Sequence, residues 1–291
     1  MAESPAHRFG QIIGELLETV VLPQLETFCR NQGLYLDHQK KTRPARTGKK
    51  VTWEDQYQYG NTHDLDFVIE RDGTDEKIGR PLAFIETAWR RYTKHSRNKA
   101  QEIQGAILPL AEKYRWNNPF LGTVLAGVFT DGSLEQLRSM GFNVLYFPYD
   151  TLVAAFQSEQ IDIAFNENTP DRLFQQTTNR IEKASKAVMT RICTHLVKSN
   201  QAAIDLFFNA LNKRLGRHVT RVVVIPLYGR VNEFATIEDA VRFLDGYMVY
   251  EGSGEFRKYE IRIEFSNADK VEAFIEAKDK VKEFLAFVAG Q

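Results

Sequence analysis

Three carboxylates stand out by type and spacing. Asp64 and Asp66 lie two residues apart at the entrance to an apolar run, Phe67-Val68-Ile69. Glu86 closes a second apolar run, Leu82-Ala83-Phe84-Ile85, twenty residues further on. A carboxylate after four apolar residues is costly if it is buried without a partner, so Glu86 calls for one. Carboxylates on two adjacent strands can converge on one divalent cation, and hard oxygen donors suit Mg2+, which keeps several waters and binds substrate phosphate as well. Such a cation lowers the pKa of a bound water and offsets charge on a phosphate in transfer. The residues after Glu86 are strongly basic: Arg90, Arg91, Lys94, His95, Arg97 and Lys99, with Glu102 the only acid up to Gln104. A phosphodiester backbone wants positive charge beside an acidic metal site. A second basic run, Lys40, Lys41, Arg43, Arg46, Lys49 and Lys50, contains no acid. It reads either as a loop that orders over a phosphate backbone or as a solvated one. His63 reads as a loop histidine.

The elements that position these groups follow from periodicity. Ile12, Ile13, Leu16, Leu17, Val20 and Val21 recur at helical spacing and predict a long helix over 8–30, kinked or split by Pro23. Residues 37–63 read as polar and irregular. Strands are expected over Leu65–Glu70, Leu82–Thr87, Leu121–Thr130 and Asn143–Phe147, with helices over Arg90 to about Lys113, from Ser133 to Gly141 by a capping-box spacing, and from Thr151 to Phe156. The first two strands are closely linked and expected to be antiparallel. The later ones are joined through helices and expected to be parallel. This predicts an α/β domain over 1–158. Residues 159–220 read as a helical connector. Residues 221–291 read as a small α/β unit for target reading or self-association. In it, Tyr259, Ile261, Ile263 and Phe265 alternate as in a half-buried strand, and a final helix carries Val271, Phe274, Ile275, Val281, Phe284, Leu285 and Val288.

The stretch from Tyr59 to Gln104 resembles the PD-(D/E)XK nuclease superfamily, in which an Asp enters one strand and Glu-x-Lys ends the next, before a helix. Asp66 matches the Asp and Glu86 the Glu, and the likeness extends over about residues 8–156. It implies a restriction-endonuclease-like core, a mixed sheet flanked by helices. It also implies a metal site in which Asp66 and Glu86 are joined by the Thr87 carbonyl and by a first-helix carboxylate, here Glu18, with Asp64 in support. The motif lysine is replaced by Ala88. Three explanations stand side by side. Lys94 or Lys99 on the following helix supplies the charge instead; or Ala88 marks a Lys→Ala substitution that renders the site inert; or the fold binds nucleic acid without cutting it.

The implied function is a Mg2+-dependent endonuclease acting on DNA phosphodiesters, with Mn2+ able to substitute, in restriction or antiphage defence. Arg90, Arg91, Lys94, Arg97 and the 40–50 run would contact the backbone. RNA remains open as a ligand. A homodimer, or a place in a defence complex, is expected because cutting both strands of a duplex calls for two sites. The alternatives are a nuclease-like binding module and a protein unrelated to nucleic acid with a fortuitous acidic pair.

Composition narrows the class without deciding it. The chain has 291 residues, 43% hydrophobic and 26% charged, which excludes a disordered, collagen-like or coiled-coil protein. The longest apolar run, Val222–Tyr228, is broken by Pro226 and falls far short of the ~20 residues of a membrane span. The N-terminal residues lack the pattern of a signal peptide. Cys29 and Cys193 are too few for a disulfide framework or a structural zinc site. A cytoplasmic protein is therefore expected. The formal net charge is zero, yet residues 222–291 carry 9 basic and 13 acidic residues, while 40–50 alone carry six positive charges. Neutrality is thus an average over a basic N-terminal part and an acidic C-terminal part.

Overall fold

The computed structural model describes residues 4–46, 48–55, 60–92, 96–216, 218–227, 229–248, 257–266 and 269–290. It divides into two units, Met1–Ala210 and Leu211–Gln291.

The first unit opens with helix α1 (Pro5–Gln32). Ser4 caps it by accepting the His7 amide, Pro5 occupies the first turn, and Gly33 ends it at φ +64°, where glycine carries no Cβ penalty. The helix continues through Pro23, so the expected split does not occur. Strand β1 (Tyr35–His38) and a hairpin of β2 (Val51–Glu54) and β3 (Thr62–Leu65) follow, overlapping or filling the stretch 37–63 that was expected to be irregular. Next come β4 (Phe67–Arg71), β5 (Arg80–Arg90), helix α2 (Ser96–Lys113), β6 (Phe120–Gly127), α3 (Asp131–Ser139), β7 (Asn143–Pro148) and α4 (Tyr149–Gln157).

The main sheet has the order β1-β4-β5-β6-β7. β4 is antiparallel to both β1 and β5, whereas β5, β6 and β7 are parallel, as their short and helical connections predict. Helices cover both faces. On one, Phe84 and Ala88 of β5 and Leu125 of β6 pack with Ala100, Ile103 and Ile107 of α2 and Leu134 and Leu137 of α3. On the other, Trp89 meets Phe9 of α1 and Tyr149 of α4, with ring centroids 6.2 and 5.9 Å apart. The chain is therefore an α/β protein with a mixed five-stranded sheet between helices.

Helices α5 (Asp171–Glu182) and α6 (Lys186–Ser199) belong to this unit. Phe174 of α5 lies 5.9 Å from Phe9, and α6 packs on α4. The boundary consequently falls at 210–211, within α7 (Gln201–Leu215), and not at 158, because the helices expected as a connector bury their apolar faces on the first unit.

The second unit holds β8 (Val219–Pro226), β9 (Asn232–Phe234), α8 (Ile237–Gly246), β10 (Tyr259–Phe265), β11 (Lys270–Ile275) and α9 (Lys278–Ala289). Its sheet has the order β11-β10-β8-β9, antiparallel throughout, and α8 and α9 pack on one face. Residues 270–275 form a strand where a helix was expected. They pair with β10 along its whole length, and Phe274, counted toward the helical face, stays 58% exposed.

Candidate metal and phosphate site

The β4–β5 ladder sets the site. Phe67 pairs with Ile85, so Asp66, just before β4, lies beside Glu86. The Thr87 amide and hydroxyl both donate to Asp66 Oδ2, at 2.7 and 2.6 Å, and Gln39 Nε2 reaches Oδ1 at 3.3 Å. Burial raises the pKa of Asp66, opposed by the two Thr87 bonds and by the charges of Lys99 and Lys40. Burial, then the neighbouring charge of Asp66, pushes Glu86 up to about 8, with Lys99 opposing. Glu86 Oε2 is buried and makes no hydrogen bond.

The first helix brings Glu18 to the same place. Its pKa is raised by burial and by Asp66, and Lys40 Nζ lies 3.3 Å from its carboxylate. Glu18, Asp66 and Glu86 thus face Lys40 and Lys99. Among the described residues, no group of three or more His, Cys, Asp or Glu side chains is arranged to hold a metal ion. The donor set at hand is the Asp66–Glu86 pair, with the orphaned Oε2 as its open valence. A pair of carboxylates suits a cation that keeps much of its water shell.

Asp64 belongs to a different network. It is exposed on β3, where Lys50 Nζ at 2.5 Å and Thr52 Oγ1 at 2.8 Å bind its carboxylate and lower its pKa. Its charge still raises that of Glu86. His63, beside it, contacts Asp55 at 3.0 Å.

The basic residues separate into distinct roles. Lys99 lies on α2, is 21% exposed and pairs with Glu102 at 3.3 Å. Lys94 lies outside the described residues. Arg97 is exposed on α2. Arg90 and Arg91 were expected to open this helix, but β5 runs on through Arg90 because β6 continues to pair with it, as far as Gly127. Gly127 has φ +97°, and a Cβ there would lie 2.0 Å from the Arg90 carbonyl oxygen. Ala88, at the lysine position of the motif, is 5% exposed and packs among hydrocarbons.

Within the 40–50 run, Arg43 is a correction: it is a core residue and not a phosphate contact. Its side chain is fully buried and binds Glu70 with both terminal nitrogens, at 2.5 and 2.9 Å, and Asp37 at 2.9 Å. Arg46 is half-buried and bonds Asp37 and the carbonyls of His38, Lys41, Gly48 and Lys50. Lys41 pairs with Asp75 at 2.8 Å, and Lys49 is exposed. With Lys40 on Glu18 and Lys50 on Asp64, five of the six bases of the run are engaged by carboxylates from outside it.

Sequence reasoning missed Lys40 as a neighbour of the acidic pair, and it missed Gln39. It also missed a cleft of about 430 Å³ between α1 and the end of β5, which runs from Thr87, Ala88 and Lys99 to Trp89 and Tyr92. The signal was present in Gly10 and Gly14, two glycines one turn apart inside a helix.

No protein family matches this chain, and no curated protein matches it. The crystal structure of a protein of unknown function, AF1548, aligns with 67% of this chain and 99% of its own at 10% identity, with a TM-score of 0.29. A likeness that slight carries no argument about fold or chemistry. Among the described residues, no helix is long and apolar enough to cross a membrane.

Proposed function

We propose that the first unit is a restriction-endonuclease-like domain and a Mg2+-dependent endonuclease acting on DNA, of the kind used in restriction or antiphage defence. The observation that carries this reading is the placement of Asp66 and Glu86 side by side across two strands, with a buried oxygen of Glu86 unpartnered and Lys99 opposite both. Asp66 and Glu86 would hold the cation, with Glu18 behind them. The cation would lower the pKa of a bound water and offset phosphate charge. Lys99 takes over the positive charge that Ala88 lacks. Arg90 and Arg97 provide backbone contacts, and Lys49 is an exposed cation of the 40–50 run.

Plasmid DNA with Mg2+ or Mn2+ tests this. Cleavage by the wild type, lost in Glu86→Gln and in Lys99→Ala, supports the assignment. Retention of cleavage in Glu86→Gln overturns it.

One observation favours a second reading, a binding module without cleavage: position 88 is an alanine packed into hydrocarbon. DNA retention at low salt with no cleavage by either the wild type or Ala88→Lys would establish that reading. Cleavage gained only in Ala88→Lys would mark an inactivated enzyme.

A further inference from the structure

The cleft beside the acidic pair has features that a continuous duplex would not need. Its volume, about 430 Å³, lies near the lower end of the ~300–1,000 Å³ typical of sites for small molecules. Gly10 and Gly14 line it from α1. Glycine inside a helix is unfavourable, because it sacrifices backbone entropy, so two on one face call for a reason. A Cβ built on Gly14 meets nothing within 4 Å, and one built on Gly10 would rest 3.6 Å from Trp89. Side chains at these two positions would therefore project into open space or against the indole.

The opposite wall is aromatic and cationic. Trp89 and Tyr92 are both partly exposed, and the Arg91 guanidinium lies 4.2 Å over the rings of Tyr92 and Phe174. The Nε atoms of Arg90 and Arg91 are buried and make no hydrogen bond. Lys99 stands where the cleft meets the acidic pair. Aromatic faces with guanidinium groups beside them are the means by which proteins hold unstacked bases and their phosphates.

We propose that this cleft receives one unpaired nucleotide of a DNA strand, its base against Trp89 and its flanking phosphates on Arg90 and Arg91. The substrate class is then DNA with an unpaired end, bulge or flap. The proposal rests on the nuclease reading above and specifies the DNA which that site takes. A blunt duplex keeps its bases stacked and paired and cannot fill the cleft. An unpaired base enters without that cost.

The test uses the full chain in EDTA and three labelled DNAs of one sequence: a blunt duplex, the same duplex with a short unpaired overhang, and the single strand. The overhang and the single strand are expected to bind about tenfold more tightly than the blunt duplex, the scale of one base–aromatic stack, and to quench tryptophan fluorescence. Gly14→Leu fills the cleft from a position with open space around it, and is expected to abolish the preference at an unchanged melting temperature. Gly14→Ala, which adds a single methyl, serves as the folded control and is expected to retain most of it. Equal binding of blunt and unpaired DNA, or a preference that survives Gly14→Leu, overturns this proposal and leaves the nuclease reading standing. No binding of any of the three DNAs, either in EDTA or with Ca2+ in place of Mg2+, overturns both.

Discussion

Thr87 holds a single oxygen of Asp66 twice. Its amide and its hydroxyl donate to Oδ2 at 2.7 and 2.6 Å, while Oδ1 receives only the longer bond from Gln39, at 3.3 Å. The asymmetry fixes the plane of the carboxylate and leaves one oxygen weakly engaged beside the orphaned Oε2 of Glu86. In the resemblance that the sequence offers, this residue contributes its carbonyl to the metal. Here its amide and hydroxyl donate to the carboxylate.

Thr87→Val keeps the side-chain shape and the backbone bond but deletes the hydroxyl. Loss of a hydrogen bond behind a metal ligand typically costs ~10–100-fold in metal affinity. Because the amide bond survives, the expected loss is at the lower end, about tenfold in Mg2+ affinity by calorimetry. Unchanged affinity would mean that Asp66 is not a ligand, or that Thr87 does not orient it.

Glu86 makes stability depend on pH. Its folded pKa, about 8, stands above the ordinary carboxylate value of 4.5, so between these values the folded chain holds a proton that the unfolded chain has released. The stability contributed by this proton is complete below 4.5 and is lost as pH rises through 8. Glu86→Gln mimics the protonated form at every pH. In the absence of divalent cations it is expected to melt above the wild type at pH ~8.5 and close to it at pH ~4.5, as read by thermal scans. Mg2+ should close the gap at high pH in the wild type only. A gap independent of pH would sink the assignment of Glu86 as a buried carboxylate that holds its proton in the folded chain.

Arg43 and Lys49 lie six residues apart in the same basic run and behave oppositely. Arg43 neutralises Asp37 and Glu70 inside the protein. Arg43→Met leaves two buried carboxylates short of their partner, which is expected to cost about 3–5 kcal/mol in urea unfolding. Lys49→Ala at the surface should change stability by less than ~0.5 kcal/mol. If Arg43→Met unfolded at wild-type urea concentrations, the buried network would not be what anchors this loop.

That contrast also shows where the sequence was legible. The direction of each pairing in β4–β7 could be read, because a short link allows an antiparallel neighbour and a helical link a parallel one. The box at Ser133 misled by one turn: Thr130, three residues earlier, caps the Ser133 amide instead. Strand β1 was invisible, because its four residues lack alternation and its partner β4 lies about thirty residues on. β11 was misread because Val271, Phe274 and Ile275 happen to fall at helical spacing, while its pairing with β10 decides the conformation. At the site, Asp66 and Glu86 were found through the apolar runs that carry them. Lys40 reads with the surface bases of its run because its partner Glu18 lies more than twenty residues away in sequence.

Gly127 and Gly105 make opposite predictions from the same substitution. Gly127 sits at φ +97°, where the end of β5 passes so close that a Cβ would fall 2.0 Å from the Arg90 carbonyl oxygen, which also accepts the Val128 amide at 2.7 Å. Gly127→Ala must therefore both strain its own backbone and push β5 aside, at an expected cost of at least ~2 kcal/mol. Because the displaced segment carries Trp89 and Arg90, DNA retention should fall further than the stability loss alone accounts for. Gly105 is exposed in α2, and a Cβ there meets nothing within 4 Å, so Gly105→Ala should stabilise the chain by about 0.5–1 kcal/mol without altering DNA binding. Urea unfolding and DNA retention, measured on both variants, separate the two effects. Gly127→Ala with wild-type stability would show that β5 and β6 do not approach each other as described.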